Sequence, residues 1–91
     1  MQSHEMVISR IKRMELYFDM LSRAVEEGIC VHNDPPLKSI LEALIAYYES
    51  GQWLSDYNAD ERGELPNDLK RGVLSEDGVY NLLSELDSKS Y

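Results

Sequence analysis

The chain is short of cysteine, proline, glycine and positive charge, with one Cys, three Pro and five Gly in 91 residues and nine Lys and Arg against seventeen Asp and Glu. Each shortage excludes something. A single Cys30 rules out an intramolecular disulfide framework and fits a reducing compartment. Cys30 and His32 could be read as a nucleophile and its base, but no third group is marked to orient the histidine. A small buried cysteine beside a loop histidine is the simpler reading. With two histidines and no glycine-rich phosphate loop, catalysis is not expected and no cofactor is implied. The net charge of -8 and pI near 4.6 oppose a nucleic-acid backbone, so DNA and RNA are excluded as expected partners. The amino terminus, MQSHEMVISRIKRMEL, is charged every few residues and lacks the continuous apolar run of a signal peptide or membrane span. A cytoplasmic protein without a membrane segment is expected.

What is present is a 43% hydrophobic composition, enough for one modest core and one domain over residues 1–91. The periodicity is helical throughout, with no alternating strand pattern and no repeat. From Met6 to Val25 the residues Val7, Ile11, Met14, Phe18, Leu21 and Val25 fall at alternating steps of four and three, forming one narrow stripe. Ser3 can cap this helix and Gly28 can close it. Leu16 and Met20 project from nearly the opposite side. The first helix is therefore either sandwiched between others or offers a second face to a partner.

After ICVHNDPP, where Asp34 can cap and Pro35 or Pro36 can sit in the first turn, a second helix is predicted to about Ser50, with Gly51 punctuating it. A third spans Gln52 to Arg62 with Gly63 as its stop. Leu65-Pro66 breaks the chain. Asn67 or Asp68 can start a short turn ended by Gly72, and Ser75 caps a last helix that buries Val79, Leu82, Leu83 and Leu86. The connection between Leu65 and Ser75 is expected to be ordered, anchored by Leu65, Leu69 and Leu74. Arg71 is the better candidate for a fixed carboxylate partner, and Lys70 for a solvated one. The expected architecture is a small all-α helical bundle, a long first helix plus three shorter ones. Its core is drawn from Ile11, Met14, Phe18, Leu21, Leu41, Leu44, Ile45, Trp53, Leu82 and Leu83.

On the third helix Trp53, Asp56, Tyr57 and Asp60 share one arc, so two carboxylates lie beside two aromatics on an inward face. Asp56, Asn58 and Asp60 also match the first, third and fifth ligand positions of an EF-hand calcium loop. The match stops there, because the sixth position is Glu61 instead of glycine and the twelfth is Asn67 instead of a bidentate glutamate. The stronger reading makes Asp56, Asp60 and Asp68 structural acceptors for Arg62, Lys70, Arg71 or exposed backbone N–H groups.

The runs RIKRMELYFDML and LPNDLKRGVLSEDGVYNLL, the second being the more specific, resemble a family of small bacterial proteins described only as domain of unknown function 4298. The resemblance reaches from Ile11 to Leu83. It implies a small bacterial cytosolic protein, and transfers no activity, substrate or catalytic residue. The function expected from the residues is a small protein-binding or regulatory module without catalysis. Its partner would be another protein or a second copy of the chain, contacted through Leu16, Met20, Lys70 and Arg71. The alternative is a divalent-metal or small-ligand binder using Asp56, Asn58 and Asp60.

Overall fold

A stripe of apolar side chains on a long first helix is the axis on which the rest is assembled. The structure, a computed structural model, describes residues 4–88. They form α1 (His4–Glu26), a 3-10 turn (Val31–Asn33), α2 (Pro35–Glu49), α3 (Gln52–Glu61) and α4 (Glu76–Ser88), with no strand among the described residues. Helices α2 and α4 pack against α1, and α3 packs against α2. Ile11 and Leu21 of the stripe are wholly enclosed, as is Leu44 of α2.

The helix ends follow local rules. Gly28 adopts φ +74, and the bonds from its own N–H to Val25 O and from Ile29 N–H to Ala24 O close α1 as a left-handed cap. The same pair of bonds recurs at Gly63, from Gly63 N–H to Asp60 O and Glu64 N–H to Ala59 O. Asp34 accepts from Leu37 N–H at 3.2 Å and so starts α2, whose first turn holds Pro35 and Pro36 where no donor is needed. Ser75 Oγ accepts from Gly78 N–H at 3.3 Å at the start of α4. The cap expected at Ser3 lies outside the described residues.

Seven of the expected core side chains are buried, and Phe18, Ile45 and Leu83 are instead half-buried, packed against its rim. The reason lies in the connection between α3 and α4. Leu65, Leu69, Val73 and Leu74 turn inward and fill the interior as a further helix would, displacing residues at the edges of the apolar stripes. That connection is not helical. Leu69 N–H reaches Pro66 O at 3.3 Å and Leu74 N–H reaches Arg71 O at 3.1 Å, giving two successive turns. Gly72, expected to end a short turn, has no positive φ. Cys30, expected to be buried, is exposed, because the cap at Gly28 carries the chain outward before Val31 returns to the core. His32 donates from Nε2 to Leu86 O at 3.0 Å and so ties the 3-10 turn to α4.

Candidate functional site

Three polar clamps hold the molecule, and each removes a side chain from the pool that could do chemistry. The first is centred on Asp56, which is 1% exposed. Arg10 of α1 donates from Nε to Oδ2 at 3.0 Å and from Nη2 to Oδ1 at 2.5 Å, a bidentate fork. Tyr47 of α2 adds a donated hydroxyl bond to Oδ2 at 2.7 Å. Three helices thus meet on one carboxylate. The hydrogen bond to Asp56 raises the Arg10 guanidinium above its ordinary range. Burial, and then the bond to Asp56, pushes the Tyr47 phenol well above the usual tyrosine range.

The second clamp is Arg71. Its Nε donates to Asp60 Oδ1 at 2.6 Å, its Nη1 to Leu69 O at 2.8 Å and its Nη2 to Pro66 O at 2.6 Å, so the whole planar fork is engaged in holding the connection onto α3. Lys70 beside it is exposed. The third clamp joins the same connection to α1, where Glu15, 8% exposed, accepts from Val73 N–H at 2.8 Å. Gly72 permits this approach, since a Cβ there would lie 2.7 Å from Glu15 Oε2. Trp53 completes the attachment, donating from Nε1 to Val73 O at 2.8 Å.

These clamps account for the carboxylates weighed as metal ligands. On a helix, positions 56 and 58 point well apart, and here Asp56 is enclosed, Asn58 is exposed and Asp60 is turned to Arg71. Among the described residues, no group of three or more His, Cys, Asp or Glu side chains is arranged to hold a metal ion. Arg10 and Glu15 carry two of the three clamps, and neither was singled out in the sequence. The available signal was that both flank the apolar stripe of α1, where a charged side chain needs a buried partner.

What the clamps leave open is the outer face of α1. Leu16 is 56% and Met20 39% exposed, so among the described residues no other element sandwiches this side of the helix. Leu16 forms one wall of a 340 Å³ groove between α1 and the connection. Its apolar surface comes from Ile8 and Leu16 on one side and Pro66 and Leu69 on the other, and its charged lining is mixed, with Lys12 and Lys70 beside Glu15, Asp19 and Asp68. The structure therefore brings Leu16 and Lys70 to one groove, places Met20 one turn along from it, and commits Arg71 to Asp60 and to carbonyls of the connection.

A family model described as Domain of unknown function (DUF4298) matches residues 11–89. The chain belongs to that family. No curated protein and no solved structure matches it. The DUF4298 match takes in Glu15, Leu16, Met20, Asp56, Lys70 and Arg71, and begins one residue after Arg10. Among the described residues no helix is long and apolar enough to cross a membrane.

Proposed function

We propose that the protein is a small, non-catalytic module of the bacterial cytosol that works by binding another protein through the outer face of α1. The observation that carries this reading is the exposure of Leu16 and Met20, one turn apart on a helix whose opposite face is the core. Adjacent apolar side chains left in water by a folded chain mark interaction surfaces more often than solitary ones do. The absence of catalysis is supported by the engagement of Asp56, Tyr47, Asp60 and Glu15 in holding helices and the connection together.

The test compares the wild type with a Leu16→Glu, Met20→Glu double variant as baits in extract of the native host, followed by direct binding between purified proteins. A protein bound by the wild type and lost from the variant, with both baits folded to the same melting temperature, is the expected result. If the double variant retains every protein that the wild type binds, the outer face of α1 is not the working surface.

A further inference from the structure

The groove between α1 and the connection contains a polar atom that the clamps do not use. Glu15, 8% exposed, commits only one carboxylate oxygen to Val73, with Oε1 accepting the N–H at 2.8 Å. Among the described residues no hydrogen bond reaches its Oε2, and none of their buried side-chain oxygens lacks a partner. Oε2 therefore touches open space, and the space that Glu15 lines is the groove. Gly72 keeps it clear, since a Cβ there would stand 2.7 Å from Oε2. The groove thus carries in its floor a carboxylate largely withdrawn from water, with one oxygen unmatched by any donor of the described residues.

The rest of the charged lining has both signs. Lys12 stands one turn before Glu15 on α1 and Asp19 one turn after it, while Asp68 and Lys70 belong to the connection opposite. All four are exposed, and none makes an ion pair among the described residues. An anion alone would face the Glu15 oxygen, and a cation alone would face two lysines. A metal ion is not held, because these carboxylates are not grouped as ligands. We propose that the groove binds a small zwitterion with an apolar body, an apolar amino acid or its dipeptide. Its ammonium donates to Glu15 Oε2, its carboxylate meets Lys12 and Lys70, and its side chain lies against Leu16 and Leu69. The volume of 340 Å³ falls in the range of small-molecule sites. This binding requires no partner protein and goes beyond the docking reading above.

The test is two-dimensional NMR of the isotopically labelled protein, titrated separately with leucine and with leucylleucine. Saturable shifts of the backbone amides of Glu15, Leu16, Leu69 and Lys70 are expected from at least one of them, and the tighter of the two decides between amino acid and dipeptide. Acetylating the ammonium or amidating the carboxylate of that ligand should each weaken binding at least about tenfold. Glu15→Gln keeps an acceptor for Val73 N–H but turns an amide donor toward the groove, and should weaken binding to a similar degree. The Lys12→Gln, Lys70→Gln variant alters only exposed side chains and should do the same at an unchanged melting temperature, so it decides the matter if Glu15→Gln loses its fold. No saturable shift from either ligand up to about 10 mM overturns the proposal. So do shifts centred away from the groove, equal binding of the acetylated or amidated ligand, and binding that the lysine variant leaves unchanged. These titrations use the purified protein alone, so a failure here leaves the bait comparison untouched, and a failure there leaves the groove.

Discussion

At the scale of single residues, Asp56 is the side chain whose loss is expected to cost most. Removing one member of a buried pair strands the other, and Arg10 is largely enclosed, with its side chain 11% exposed. Asp56→Asn should lower stability by about 2 to 4 kcal/mol in urea denaturation. The exposed Arg62–Glu64 pair, 58% and 42% exposed, gives the contrast, and Arg62→Ala should leave the curve unchanged. Tyr47 adds a pH dependence. Its phenol is raised above the tyrosine range by burial and by Asp56. The unfolded chain therefore releases this proton first, from about pH 10, and stability falls as pH rises further, by at most about 1.4 kcal/mol per pH unit. Below about pH 10 both states hold the proton and the effect vanishes. Tyr47→Phe should flatten that alkaline decline in melting curves relative to the wild type; equal slopes would show that the phenol ionises while folded. The carboxylate end of this clamp was legible, because Asp56 shares an arc with Trp53 and Tyr57. Its partner was not, since Arg10 lies 46 residues away and nearer cations offered themselves in Arg62, Lys70 and Arg71.

At the scale of elements, the connection between α3 and α4 behaves as a structural member. Its leucines could be picked out as anchors, and Arg71 as a fixed partner, because both rest on residue chemistry. Val73 could not. Its N–H is taken by Glu15 and its carbonyl by Trp53, groups 58 and 20 residues away, so the position has no local signature. Gly72 shows the same limit, since its role is set by a side chain of α1 and not by its own dihedral angles. Gly72→Ala should displace the Glu15 carboxylate and cost about 1 to 2 kcal/mol. In a Glu15→Ala background the same change should cost less, and a double-mutant cycle gives the difference directly. Additive costs would show that Glu15 yields space without releasing Val73. Arg71→Ala should lower amide protection from Gly63 to Ser75 in hydrogen exchange while α1 and α2 keep theirs.

At the scale of the molecule, the principal extents are 40 × 20 × 19 Å, elongated along a 23-residue first helix that its three shorter companions do not surround. The two faces of α1 could be read from periodicity. Which face would be covered could not, because it depended on where the connection packed, and that segment lies against the groove edge instead of across Leu16. Leu16→Glu and Met20→Glu should therefore leave the melting temperature essentially unchanged, since charged side chains at these positions remain in water. A large drop in melting temperature would mean that this face is closed in solution.

The attachment of Trp53 has one more consequence, an optical one. It is the sole tryptophan, stacked at 5.2 Å on Tyr57, tilted at 5.0 Å against Tyr48, and bonded through its indole nitrogen to Val73. The same connection forms one wall of the groove through Leu69. The intrinsic emission of the protein is thus a native reporter, placed where α2, α3 and the groove wall converge, and water reaching the indole as that wall lifts would move the emission to the red.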